Sequence, residues 1–302
     1  MRTDVEEGAR MKTQQEQLPD QTQTVIEWFG EQTPGEKGVI AFLPALGVGV
    51  EFYRGLAESW AKLGYRVATV ELRGMKQSSV QDVKRQNFGY KEVLNVDLAT
   101  LLPRIKAQAA GKPFIVAGHS LGGQFALLHA SQNPGQVDGV IVLAGGSNYH
   151  GSMPSGMKFK RHMGIRLVRA IDQTLGYFPG HKVGFGGRQP LNMILDWTHE
   201  ALTGRYKVVG DTADYDAALT RLQVPVLIVS LSGDPLVPRT CADFLAGKLP
   251  QARVTQVELQ ARDHGMKAFH HFRWVRKPEP VLEQVEQWVQ GLGAPRGAVA
   301  SA

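Results

Sequence analysis

An apolar run, Pro113-Phe114-Ile115-Val116-Ala117, opens directly onto Gly118-His119-Ser120-Leu121-Gly122-Gly123, and Gln124-Phe125-Ala126-Leu127-Leu128-His129-Ala130 follows with a helical pattern. A buried strand, a G-x-S-x-G turn and a helix in that order leave the backbone little choice. It must reverse sharply, with Ser120 held in a strained conformation and its side chain turned out of the sheet. The strand and helix then pass so close that the flanking positions must be small, which Gly118, Gly122 and Gly123 satisfy. Ser120 is therefore the first candidate for a nucleophile.

The remaining elements predict the frame for that turn. Gly38-Val39-Ile40-Ala41-Phe42-Leu43 reads as a buried strand, followed by a turn at Pro44-Ala45-Leu46-Gly47 and a helix from about Glu51 to Leu63. Tyr65–Glu71 is the next strand, and a long helix runs near Val93 to Ala109. Another strand follows the Ser120 helix at Gly139–Ala144. Unbroken apolar strands separated by amphipathic helices indicate a mostly parallel α/β sheet covered by helices on both faces. The alternation stops after Gly145-Gly146 and resumes at Val224–Ser230, Arg253–Leu259 and a final helix at Pro280 to Gln290. The expected organisation is a loose tail over 1–19, a sheet core over 20–145 and 223–292, an inserted cap over 146–222 and a second tail over 293–302.

With 302 residues, 43% apolar and 21% charged, the chain can bury a large core. The net charge of +6 is spread along it and does not imply nucleic acid. The first residues are polar and acidic where a signal peptide needs an apolar core, and no stretch approaches a membrane span, so the expectation is a cytoplasmic protein. The lone Cys241 stands at a helix start and reads as a packing residue rather than a nucleophile. Neither a metal nor a cofactor is implied, because no H-E-x-x-H, Cys/His cluster, P-loop or dinucleotide fingerprint occurs.

A Ser hydroxyl attacks only when a His takes its proton and a carboxylate orients that His. Asp234, in the Gly- and Pro-punctuated turn after the 224–229 strand, suits the carboxylate. His264, His270 and His271 all follow the last strand. His271, nearest the final helix, ranks first as the base, His264 second and His270 third. Acyl transfer also needs donors for the oxyanion. The backbone N–H of Leu121 is one; the other is that of Leu46, with Ala45 as the alternative. Pro44 has no N–H to give.

Pro44-Ala45-Leu46-Gly47 with Phe52-Tyr53-Arg54, the Gly118–Gln124 elbow, Gly176-Tyr177-Phe178-Pro179-Gly180, Asp234-Pro235 and His271-Phe272 together resemble a bacterial branch of the α/β-hydrolases. That branch is related to serine aminopeptidase-like and monoacylglycerol-lipase-like enzymes, and the resemblance covers roughly residues 25 to 291. It implies an α/β-hydrolase fold and a serine hydrolase whose triad runs Ser, acid, His along the chain. The branch's Gly-His-Phe pattern assigns the His to His271, with His270 standing where Gly is usual.

The cap is where specificity should reside. Tyr177, Phe178 and Trp197, with Phe185 beside them, are candidates for an apolar acyl pocket. Basic and apolar residues interleave from Met157 to Ile171. That pattern suits a lid helix with its apolar side on the pocket and its basic side in water, in preference to a helix meeting a membrane surface or an anionic acyl carrier. The leading expectation is cleavage of an ester or thioester of a small to medium acyl substrate through an acyl-serine. An acyltransferase or amidase on the same triad, or a binding protein with a vestigial one, are the alternatives.

Overall fold

The computed structural model describes residues 11–33 and 35–292. Its core is an eight-stranded sheet. The strands are β1 (Lys12–Gln17), β2 (Gln23–Phe29), β3 (Val39–Leu43), β4 (Arg66–Val70), β5 (Phe114–His119), β6 (Gly139–Leu143), β9 (Val226–Leu231) and β10 (Val254–Leu259); β7 (Tyr177–Pro179) and β8 (Arg188–Pro190) form a separate antiparallel pair. The order across the sheet is β1-β2-β4-β3-β5-β6-β9-β10. β1 and β2 run antiparallel, as do β2 and β4; every other neighbour is parallel.

The helices are α1 (Arg54–Lys62), α2 (Tyr90–Glu92), α3 (Ala99–Ala107), α4 (Leu121–Gln132), α5 (Ser155–Leu175), α6 (Leu191–Thr203), α7 (Tyr215–Thr220), α8 (Arg239–Ala246) and α9 (Glu279–Leu292). A wider helical segment, Val93–Leu98, joins α2 to α3. Residues of one strand feed two separate cores, because successive side chains point to opposite faces. Ala41, Leu43, Val116 and Val142 pack with Leu101, Ile105 and Phe125 from α3 and α4. Ile40, Phe42, Ala117 and Val229 pack with Trp60 from α1 and Val285 from α9. Each Leu, Ile, Val or Phe among them contributes about 1.5–3 kcal/mol when fully buried, which is why these runs are apolar except for His119 and Ser230 near their carboxyl ends. Between β6 and β9 the chain forms α5, β7, β8, α6 and α7, of which α5 and α6 pack on each other and α7 packs against α4.

Three expectations need correcting. The loose tail predicted up to residue 19 is in part a strand: β1 pairs with β2 from Lys12↔Trp28 to Gln17↔Gln23. It is an outer strand, exposed at all but Glu16, so its polar composition gave no apolar signal. Residues 1–10 and the second tail, 293–302, lie outside the described residues. The second correction is small: the helix predicted from Val93 begins at Tyr90 and ends at Ala107. The third is α5, which does not place its apolar side inward. Ile165 is buried, but Phe159, Met163 and Leu167, spaced by four on one face, are exposed. Among the described residues no helix is long and apolar enough to cross a membrane.

Candidate active site

Ser120 sits where β5 ends and α4 begins, with φ 53° and ψ −116°. Such a conformation costs a non-glycine residue about 1–3 kcal/mol and persists only where its surroundings over-determine it. Here they do. The Ser120 N–H is pinned to Leu143 O of β6 at 2.9 Å. A methyl group on Gly118 would lie 2.2 Å from the Gly122 carbonyl carbon, and one on Gly122 would lie 2.2 Å from Leu43 O. Strand, turn and helix touch backbone to backbone, as the glycine spacing requires.

Asp234 leaves the end of β9. Its Oδ1 accepts from the N–H groups of Leu236 (2.9 Å) and Val237 (3.3 Å), and its Oδ2 lies 2.7 Å from His271 Nδ1. The carboxylate is buried and the imidazole almost so. The loop carrying His271 is fastened to the Asp234 turn: Phe269 N–H donates to Ser232 O (3.1 Å), and Ser232 Oγ accepts from Ala261 N–H (2.8 Å). His264 and His270 both lie exposed, so of the three candidates only His271 meets the acid.

A cavity of about 210 Å³ is lined by Ser120, Leu121 and His271 together with Ala45 and Leu46. The N–H of Leu121 opens α4 and, like that of Leu46, donates to no described residue. Ala45 N–H is already committed to the Tyr53 hydroxyl at 3.1 Å, which separates the two candidates for the second donor. Asn148, Arg161, Phe185 and Trp197 supply the opposite wall, with Leu236, Val237 and Phe272 at the sides. Trp197 therefore lines the cavity, whereas Tyr177 and Phe178 do not. Phe178 is buried behind Phe185, with ring centroids 6.4 Å apart, and Tyr177 faces Arg188 and Lys84. The Gly184–Gly187 loop reaches over the Leu46 turn: a methyl group on Gly47 (φ +73°) would lie 2.1 Å from Gly186 O.

His119 takes a part that its place in the elbow motif does not reveal. It is fully buried, its Nδ1 lies 2.8 Å from Tyr53 Oη, and its ring centroid is 4.8 Å from that of His271. Burial, reinforced by His271, holds its pKa well below the ordinary histidine range, while a hydrogen bond to the His271 main chain opposes this. Neutral His119 thus pairs with the Tyr53 hydroxyl at Nδ1, and the Trp274 Nε1–H approaches its Nε2 at 3.5 Å. One ring ties the Ala45–Leu46 turn to the His271 loop.

The comparisons with known proteins agree with this architecture. The family described as serine aminopeptidase, S33, matches residues 34–183. A monoglyceride lipase of Saccharomyces cerevisiae, solved as a soluble variant with a substrate analog, superposes with a TM-score of 0.72 at 15% identity, over 97% of this chain and 99% of that one. The chain belongs to the α/β-hydrolase superfamily. Mouse alpha/beta hydrolase domain-containing protein 10 shares this α/β-hydrolase fold at TM-score 0.63 and 16% identity, over 93% of this chain and 100% of that one. A pimeloyl-[acyl-carrier protein] methyl ester esterase of Nitrosomonas europaea is 28% identical over 156 residues, 47% of this α/β-hydrolase chain. The match spans 61% of that esterase, less than two thirds of its length.

Proposed function

We propose that this α/β-hydrolase is a serine hydrolase that cleaves an ester or thioester of a small to medium acyl substrate. The observation that carries the reading is the buried Asp234–His271 hydrogen bond opening on the same cavity as Ser120. In this scheme Ser120 Oγ attacks the substrate carbonyl as His271 Nε2 takes its proton. Asp234 keeps the other imidazole proton on Nδ1 and stabilises the imidazolium that forms. The oxyanion receives the free N–H groups of Leu46 and Leu121, donors worth roughly 10²–10³ in rate apiece. Collapse of the tetrahedral intermediate breaks the bond to the leaving oxygen or sulfur, which takes the proton from His271. Water then repeats the sequence, with His271 as base, and frees the acid and Ser120.

The segment over 146–222 acts as the cap in this reading, since Asn148, Arg161, Phe185 and Trp197 come from it. Covering the site removes water and strengthens the oxyanion contacts. The esterase relative in Nitrosomonas europaea favours ester chemistry over amide cleavage. Mass spectrometry after fluorophosphonate treatment tests the assignment: the adduct is expected on Ser120, and an adduct elsewhere, or none on folded protein, overturns it. p-Nitrophenyl esters of increasing chain length then define the acyl size.

A further inference from the structure

The wall of the Ser120 cavity is mostly apolar, yet two of its side chains bring nitrogen donors to it, and that of Arg161 has no partner. Arg161 of α5 makes no hydrogen bond or ion pair with any described residue, and its Nε is buried without a partner. Asn148 is only 7% exposed, and its Nδ2 also lacks a hydrogen-bond partner. Its main-chain N–H is taken by Glu200 at 3.0 Å, and its side chain feels that carboxylate without completing a hydrogen bond to it.

Arg161 is exceptional on its own helix. Lys158, Lys160 and Arg166 of α5 all stand exposed. Arg161 alone among these lines the cavity, where burial weakens its hold on its proton and the fields of Cys241, Glu200 and Asp234 only partly restore it. A guanidinium stays charged in a protein. Keeping one half-buried, with its Nε buried and unpaired, is unfavourable, and buried cations ordinarily offset that cost by pairing. The missing counter-charge therefore belongs to whatever fills the cavity.

We infer that Arg161, assisted by Asn148, receives an anionic group, a carboxylate or a phosphate, carried on the acyl chain of the substrate. This rests on the acyl-Ser120 reading, and it narrows the substrate class from acyl esters in general to esters whose acyl chain ends in an acid. The planar guanidinium matches a two-oxygen acceptor, and the Asn148 amide adds a further N–H. The apolar wall of Phe185 and Trp197 accommodates the methylenes between that acid and the ester carbonyl.

The test has a turnover arm and a binding arm, both on the full chain. Turnover compares monomethyl adipate with methyl hexanoate, and adds a methyl ester of similar length ending in a phosphate monoester. The parent is expected to prefer an acid-ended ester, and Arg161→Gln to lower the charged-to-neutral ratio of kcat/KM roughly 10–100-fold, the worth of a hydrogen-bonded charge. Whichever acid-ended ester shows the larger drop identifies the head group. The binding arm titrates adipate and pentyl phosphate into Ser120→Ala by calorimetry, with and without Arg161→Gln, so it needs no chemistry. Binding that weakens by the same factor supports the anion site even when no ester turns over. If Arg161→Gln does not fold, Arg161→Lys, which keeps the charge but loses the fork, is expected to weaken both arms in part. A parent that is labelled at Ser120 and hydrolyses the neutral ester as well as the charged ones overturns the inference and leaves the serine-hydrolase reading standing. No labelling at Ser120, together with Arg161-dependent anion binding, overturns the hydrolase reading alone. Absence of anion binding in the second arm overturns the inference whatever the first arm gives.

Discussion

Replacing Tyr53 by Phe removes one oxygen atom, and the structure assigns that atom two duties. It accepts from Ala45 N–H at 3.1 Å and pairs with His119 Nδ1 at 2.8 Å, and all three residues are buried. In Tyr53→Phe both groups lose their partner where water does not reach. Each buried group left unsatisfied costs about 1–3 kcal/mol, so with two such groups the variant should lose about 2–6 kcal/mol. The ring stays, packed on Phe42 with centroids 4.7 Å apart, so no cavity adds to the loss. Against a typical stability of about 5–15 kcal/mol the chain still folds. Activity should suffer further, because the Ala45–Leu46 turn loses its tether and Leu46 N–H is one of the oxyanion donors in the proposed mechanism; a fall of roughly tenfold or more in kcat is expected. Tyr90→Phe is the control. Tyr90 is equally buried, but its hydroxyl has no hydrogen-bond partner, so the same deletion should be neutral or stabilising. Urea unfolding followed by tryptophan fluorescence measures the first effect, and p-nitrophenyl ester turnover the second. The reasoning fails if Tyr53→Phe lies within about 0.5 kcal/mol of the parent, below the range for a lost hydrogen bond, or if Tyr90→Phe loses as much.

Other expectations are more compact. Gly122→Ala should abolish soluble folded protein, judged by circular dichroism, because its methyl group would lie 2.2 Å from Leu43 O; Gly55→Ala, with open space around it in α1, should gain about 0.5–1 kcal/mol. His271→Ala should lower kcat by several orders of magnitude, while His264→Ala changes it little; the reverse result would reassign the base. Trp197→Ala should move the preferred acyl length more than it changes Ser120 labelling, and an unchanged chain-length profile would remove Trp197 from the specificity wall. Glu200 is raised by burial to about 7 from 4.5. A carboxyl whose folded pKa is raised holds its proton in the native state, so its contribution is full below about pH 4.5 and is lost as pH climbs through about 7. Glu200→Gln should therefore flatten the decline in stability between those pH values by about 3 kcal/mol. Asp172 and Asp196, also raised by burial to about 7, keep a slope of the same sign.

The parallel core and the elbow were legible because each position has one physical solution. A run that feeds two cores is almost wholly apolar, and a turn in which backbones touch demands glycine. β1 and β2 were not legible. Lys12-Thr13-Gln14-Gln15-Glu16-Gln17 owes its strand to a neighbour's hydrogen bonds, and its side chains face solvent. Asp234 and His271 could be ranked from chain order and loop position, but the 2.7 Å contact that distinguishes His271 from His264 comes from how two loops are fastened together. His119 carried no separate signal, since its partner Tyr53 lies 66 residues away. Arg161 was hidden among similar neighbours: Lys158, Lys160, Arg161 and Arg166 look alike in a string, and only the rotation of α5 over the site turns one of them inward. Of Phe178 and Phe185, both candidates for the pocket on one short segment, only the one after the turn reaches the wall, for the same reason.

The contact between Gly47 and the Gly186 carbonyl bears on how this scaffold can be re-engineered. Caps are often treated as interchangeable lids on a constant base. Here the core and the proposed cap are cut to one another at a point where neither has a side chain, beside the turn that holds Leu46. A transplanted cap will seat only if its loop also arrives as bare backbone at that point, and a base with any other residue at position 47 will reject this one. Libraries that shuffle the 146–222 segment among relatives should therefore hold positions 47, 186 and 187 fixed as a set and vary the aromatic wall instead.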